Sequence, residues 1–252
     1  MSLNIVLDKI RTIYKVDKEN ADTYLLNNWF IISTIVISTL NQPQDIKYVY
    51  SFIQNDIQSF KNLSIEQKID LEVKIVMKLR DAILKGFIAT GFPKTINGLQ
   101  ELYKNTPEPI KEKIPKDPIR QEETWQQISD QRQRGQKLFD VIYDRHTKKV
   151  MNTMDTIYPD LGQTARYHIY GPILSDVTFL SPKETSLVVV AGCFAQNIPS
   201  QLRGHAYGAL HNGATQDDLN ILYDTVIALC HHYHIPLDVN IRPNTILKKS
   251  KL

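Results

Sequence analysis

Apolar residues recur with a helical period along almost the whole chain. Leu71, Ile75 and Leu79 stand four residues apart, a spacing that places their side chains on one face of an α-helix. Residues 22–40 are apolar on most sides, which predicts a long buried helix. The β-branched run 188–190 lies inside a helical pattern, and no segment shows the convincing alternation of a strand. The pattern therefore predicts an all-α protein of about ten helices.

Several helix starts are marked by capping residues. Ser64 and Ser181 are each followed three positions later by Gln or Glu, which is the pattern of a capping box. Thr215 precedes an acidic first turn and is also a typical N-cap. A further helical run begins near residue 121 and extends towards residue 158. These signals predict helices in both halves of the chain.

The distribution of proline predicts how the chain is divided. Residues 105–118 contain four prolines and almost no aromatic content, as expected of a linker. This linker would separate an N-terminal helical half, residues 1–104, from a second half, residues 119–235. Residues 236–252 then form a flexible tail. A length of 252 residues suits one large domain or two similar halves.

Composition and charge exclude several classes of protein. The chain is 42% hydrophobic and 23% charged, values close to those of an ordinary globular protein. Its net charge of +3 lies entirely in residues 235–252, so the body is neutral and we expect no nucleic-acid partner. Two cysteines exclude a disulfide scaffold. The most apolar run, residues 29–40, is shorter than the roughly 20 residues that span a bilayer, so we expect no membrane insertion.

One stretch of the second half resembles a known family. Residues 201–215, QLRGHAYGALHNGAT, resemble the carboxymuconolactone decarboxylase family, which shares an all-helical fold with the alkylhydroperoxidase D proteins. The stretch 80–93 resembles the closing helix of that family more weakly. The resemblance implies two packed family-like halves, or one copy and a degenerate relative. It also implies a cofactor-free protein, a homo-oligomer and a small-molecule ligand.

His205 is the candidate for chemistry that this resemblance implies. In the family the corresponding His lines a pocket between helices and acts in proton transfer, a role that the ordinary pKa of imidazole suits. Gln201 lies one turn earlier on the same helix face, where the decarboxylase branch carries Glu. The peroxidase branch has cysteines at the positions of Ile198 and Gln201, so we expect no thiol peroxidase activity.

Two further residues have both a functional and a structural interpretation. Glu184 lies near the position of a proton-relay Glu in alkylhydroperoxidase-like proteins, but the capping box also explains it fully. Cys193 lies nine residues further along the same helix, where a buried and inert thiol is the simpler interpretation. We keep both as candidate catalytic residues beside His205 and Gln201.

The segment Cys230–His234 raises the question of a metal site. Its Cys and His residues recur at three- and four-residue spacings, so two ligands could face one ion. No second cluster supplies the remaining ligands, and His is favourable near a helix C-terminus. We therefore interpret the segment as a polar helix end and predict no metal.

The last three residues predict a cellular address. Ser250, Lys251 and Leu252 form the tripeptide that the peroxisomal import receptor recognises. Lys248 and Lys249 keep the tail solvated and accessible. We therefore expect a protein of the peroxisome matrix, with the import receptor as a partner, and the tail together with the family resemblance implies one of fungal type.

Two hypotheses about activity follow. In the first, an enzyme acts on a small organic acid, lactone or peroxide, with His205 as acid or base. In the second, a non-catalytic helical protein keeps the fold for assembly or binding. A pocket at His205 with a second titratable group in hydrogen-bond reach would favour the first, and an apolar, filled surrounding would favour the second.

Overall fold

The computed structural model describes residues 2–237, which are helical and contain no β-strand. The predicted all-α class is thereby confirmed, with 77% helix and ten α-helices of seven or more residues in this part of the chain. The α-helices are α1 (Leu3–Ile13), α2 (Ala21–Leu26), α3 (Trp29–Thr39), α4 (Ile46–Ser59), α5 (Ile65–Lys85), α6 (Phe87–Thr90), α7 (Phe92–Asn105), α8 (Glu108–Lys111), α9 (Trp125–Tyr143), α10 (Thr147–Ile157), α11 (Pro159–Gln163), α12 (Pro182–Ala195), α13 (Pro199–His211) and α14 (Gln216–His232). A π-helix spans Thr164–Leu174, and 3₁₀ turns span Pro43–Asp45 and Asp144–His146.

The predicted capping residues begin their helices as expected. The Ser64 hydroxyl accepts the backbone N–H of Gln67 at the start of α5, and Ser181 does the same for Glu184 at α12. Thr215 caps α14, which likewise begins with a complete capping box. Each hydroxyl satisfies a backbone donor that has no partner within its helix.

The predicted long helix over residues 22–40 is divided into α2 and α3. Asn27 causes the division, because its side-chain oxygen accepts the Trp29 N–H at 3.1 Å. Its amide nitrogen donates to the Tyr14 carbonyl at 3.0 Å and holds the chain in the turn. An Asn side chain offers the backbone such alternatives to a continuous helix.

The predicted run over residues 121–158 is also divided. It forms α9, the 3₁₀ turn Asp144–His146 and α10. Asp144 adopts a left-handed backbone conformation with φ of 47°, which ends α9 and redirects the chain.

The core forms around α3 and α12, one from each half of the chain. Every residue of α3 is buried, as is every residue of α12 from Glu184 onwards. The two helices pack against each other, and both also contact α5 and α14. One continuous apolar cluster therefore spans both halves.

The proline-rich segment 105–118 lies on this body. It contains the short helix α8, whose Ile110 is buried against the core. Thr106 is also buried, and its hydroxyl donates to the Leu102 carbonyl at 2.7 Å.

Buried lysines of α5 connect the two halves. Lys78 forms an ion pair with Glu184 of α12, and both side chains are about nine-tenths buried. Lys85 is completely buried and donates to the Thr185 hydroxyl at 2.9 Å. Burial lowers the pKa of Lys85, while the nearby Asp81 carboxylate opposes that effect.

Two glycines allow the helices next to the candidate site to approach closely. A Cβ on Gly135 of α9 would lie 2.4 Å from the backbone nitrogen of Gly171 in the π-helix. A Cβ on Gly208 of α13 would lie 2.6 Å from the side chain of Ile142. The small residues of α13 are thus used to pack helices within the chain. No helix in residues 2–237 is long and apolar enough to cross a membrane.

Candidate functional site

A recess of about 1010 Å³ opens between α13 and the α9–α10 connection. His205 and Gln201 line the recess from α13, and Tyr143, the last residue of α9, lines it as well. Its volume lies at the upper end of the roughly 300–1,000 Å³ that ligand pockets occupy. The recess therefore has room for a ligand of considerable size.

The periodicity of α13 explains which side chains reach the recess. Ser200, Arg203, Tyr207 and His211 recur every three or four residues and all line it, so they form one helix face. Pro199 occupies the first turn of α13, where a missing N–H has no consequence.

His205 is a neutral imidazole at physiological pH. Its side chain is partly exposed on the recess wall, and burial by the surrounding protein lowers its pKa to about 4. Its side chain forms no hydrogen bond within residues 2–237. The centroid of the Tyr143 ring lies 6.3 Å from that of the imidazole. The imidazole is therefore free to donate to, or accept from, a ligand.

The wall behind His205 contains two tyrosines. The hydroxyl of Tyr143 lies 3.1 Å from that of Tyr170 in the π-helix, and the two form a hydrogen bond. Phe139 packs between their rings, at centroid distances of 4.5 and 4.9 Å. Burial raises the pKa of both hydroxyls, so each remains protonated.

The structure separates the four candidate catalytic residues. His205 and Gln201 line the recess together, one turn apart on α13. Glu184 does not line it, because its carboxylate pairs with Lys78 and accepts the Ser181 N–H at 2.8 Å. Cys193 is buried in the core, and burial raises the pKa of its thiol to about 12.

Three basic side chains at the recess escaped the sequence analysis. Arg145 and Lys149 line the recess from the 3₁₀ turn and α10, and Arg203 lines it from α13. They lie in two segments distant along the chain, so no local motif unites them. A cluster of basic residues at 145–149 was the only signal in the sequence.

Two histidines that line the recess form hydrogen bonds with neighbouring groups. The Nδ1 of His211 lies 3.0 Å from the Val141 carbonyl and donates to it, since a carbonyl can only accept. This bond joins the end of α13 to the end of α9. The Nε2 of His146 accepts from Arg145 at 3.3 Å and orients its guanidinium.

Two other predicted features lie apart from the recess. Cys230 is buried in α14, and no group of three metal-binding side chains occurs in residues 2–237. The tripeptide Ser250–Leu252 lies outside the described residues.

Comparison with known proteins identifies two similar yeast proteins. The protein named peroxisomal protein 2 in Saccharomyces cerevisiae is 27% identical over 251 residues, covering 81% of this chain and 88% of that protein. The protein of the same name in Schizosaccharomyces pombe is 30% identical over 190 residues, covering 75% of this chain and 79% of that protein. No family model and no solved structure matches the chain.

Proposed function

The chain belongs to the family of the yeast proteins named peroxisomal protein 2 and is itself a peroxisomal protein; on that premise we propose that it acts on a small organic molecule in the recess, with His205 transferring a proton. The observation that carries the proposal is the position of His205, which lines a large recess with an imidazole that forms no hydrogen bond within residues 2–237. The motif of residues 201–215 supports it, since it resembles that of the carboxymuconolactone decarboxylases.

The recess supplies the groups that such a reaction needs. A neutral imidazole can accept a proton at one nitrogen and donate one at the other. Gln201, on the same wall, can orient a ligand through its amide but cannot itself take up a proton. With a pKa near 4, His205 is a weak base in the empty recess, so its activity depends on a ligand that favours the imidazolium.

A substrate panel tests this proposal. Purified protein is incubated with small lactones, keto acids and hydroperoxides, and products are followed by NMR. We expect turnover of at least one lactone or keto acid, and a loss of about 100-fold or more in His205→Asn. Turnover of the same size in His205→Asn would contradict the role of His205.

A second candidate function is binding without chemistry. It is favoured by the placement of Glu184 and Cys193 away from the recess, which leaves His205 with no hydrogen-bonded titratable partner within residues 2–237. Ligand binding without turnover of any panel member, in protein with native helix content, would favour this candidate.

Import and assembly complete the proposal. We propose that Ser250–Leu252 is the address read by the import receptor, which places the protein in the peroxisome matrix. Deleting these three residues should leave a tagged protein in the cytosol, whereas continued co-localisation with a peroxisomal marker would refute the address.

We also propose a homo-oligomer, as the family resemblance implies. Light scattering at micromolar concentration should give a mass above that of the 29.0 kDa monomer.

A further inference from the structure

The basic residues that line the recess have no ion-pair partner within residues 2–237. Arg145, Lys149 and Arg203 all line it and are all exposed, and none forms an ion pair within residues 2–237. The largely buried cations Arg11, Lys78 and Arg120, by contrast, each pair with a carboxylate. Because the described surface leaves these three cations together and unpaired, they are available to an anion from outside.

The recess also has apolar lining residues. Ile142, Val150 and Met154 line it, together with the ring of Tyr143. A ligand in the recess would place a hydrophobic group against these side chains and its charge against the basic ones. Such a division between an apolar wall and a few polar groups is typical of sites for organic ligands.

We propose that the recess binds an organic phosphate, a ligand that carries a dianionic phosphate group on an apolar or aromatic body. This inference rests on the proposed function because it names the ligand class of the same recess. It goes beyond that function because a small acid or lactone needs neither this volume nor this much charge.

The net charge of the lining residues favours a phosphate over a carboxylate. Among the lining residues within 2–237 there are three cations and one carboxylate, that of Asp144, which gives a net charge of about +2 when the histidines are neutral. A phosphate monoester carries close to two negative charges at neutral pH, and a carboxylate carries one. Arg145 and Arg203 can also each donate two parallel hydrogen bonds to phosphate oxygens.

The cations that line the recess come from separate elements of the fold. Arg145 and Lys149 line the recess from the 3₁₀ turn and α10, and Arg203 lines it from α13. His146 holds the guanidinium of Arg145 at 3.3 Å, which reduces its freedom before a ligand arrives. A phosphate in the recess would therefore find cations from both segments of the chain among the lining residues.

Four probes test the proposal by isothermal titration calorimetry at pH 7.5 and low salt. 1-Naphthyl phosphate has the ring and the dianion, 1-naphthoate has the ring and one charge, 1-naphthol has the ring alone, and inorganic phosphate has the charge alone. We expect 1-naphthyl phosphate to bind at least about tenfold more tightly than each of the other three. It alone combines a ring for the apolar lining residues with a dianion for the basic ones. Equal binding of 1-naphthol would overturn the proposal, and so would equal or tighter binding of 1-naphthoate.

Matched variants locate the binding at the proposed residues. Lys149→Gln and Arg203→Gln should each weaken 1-naphthyl phosphate about tenfold and leave 1-naphthol unchanged. Lys148→Gln removes the same charge one position away, on a side chain that does not line the recess, and should change binding less than twofold. Equal weakening by Lys148→Gln and Lys149→Gln would show a nonspecific charge effect and overturn the proposal.

The two proposals fail separately. If 1-naphthyl phosphate binds as expected and no panel substrate is turned over, the phosphate site stands and the action on lactones, keto acids and hydroperoxides falls. If turnover depends on His205 but no probe prefers the phosphate, the function stands and this inference falls.

Discussion

The imidazole of His205 lies 6.3 Å from the phenol ring of Tyr143, measured between ring centroids, at the wall of the recess. Tyr143 is held by its hydrogen bond to Tyr170, so the π-helix supports the wall that α9 and α13 form. His205 is thus fixed by packing on one side and open to a ligand on the other.

The low pKa of His205 makes stability depend on pH. In the unfolded chain its pKa returns to about 6.5, so between pH 6.5 and pH 4 the unfolded state binds a proton that the folded state does not. The free energy of unfolding should therefore fall as the pH is lowered through this range, by up to about 1.4 kcal/mol per pH unit. His205→Asn should show a smaller slope than the native protein in urea unfolding between pH 4 and 7, and identical slopes would contradict this assignment.

The ion pair between Lys78 and Glu184 should contribute strongly to stability. Glu184→Gln preserves the capping box, since Gln is also accepted at this position, but leaves the buried Lys78 without its carboxylate. We expect a loss of about 3 kcal/mol in the free energy of unfolding.

A neighbouring surface pair provides the control for that change. Lys183 pairs with Asp218 at 2.8 Å but is about one-third exposed, so Lys183→Gln should cost no more than about 1 kcal/mol. Equal effects of Glu184→Gln and Lys183→Gln would show that the buried pair is not a special link between the halves.

Two glycine substitutions should have opposite effects. Gly135→Ala would bring a methyl group within 2.4 Å of the Gly171 backbone, and we expect a loss of about 3 kcal/mol. Gly204→Ala places its methyl group 3.7 Å from Tyr143, an ordinary contact, and should gain about 0.5–1 kcal/mol from helix propensity. Thermal unfolding measures both, and a stable Gly135→Ala variant would refute the close contact of α9 with the π-helix.

The cysteines should be unreactive in the folded protein. Burial raises the pKa of Cys193 and of Cys230 to about 12, so neither supplies a thiolate near neutral pH. Ellman's reagent should label both slowly in native protein and rapidly in urea. Dithiol-dependent peroxide turnover that is abolished by Cys193→Ser would contradict this prediction.

The sequence predicts what depends on neighbours along the chain. The capping boxes at Ser64 and Ser181 are local patterns, and the structure confirms both. The break at Asn27 was missed because an apolar pattern does not report a side chain that bonds to a distant carbonyl.

The residues that line the recess could be predicted only in part, because they come from segments distant along the chain. His205 and Gln201 could be placed on one helix face from their spacing, and they share the recess wall. Arg145 and Lys149 could not be joined to Arg203, because only the packing of α9 and α10 against α13 brings them together. Nor could the partner of Glu184 be predicted, since Lys78 is 106 residues away.

The titration of His205 followed by NMR tests the central claim most directly. Its imidazole signal, assigned by its loss in His205→Asn, is recorded from pH 4 to 8 with and without 1-naphthyl phosphate. We predict a pKa near 4 for the empty recess and a higher value with the probe, because a nearby anion favours the imidazolium. A pKa near 6.5 that the probe does not change would contradict the account, since His205 would then be an ordinary surface histidine.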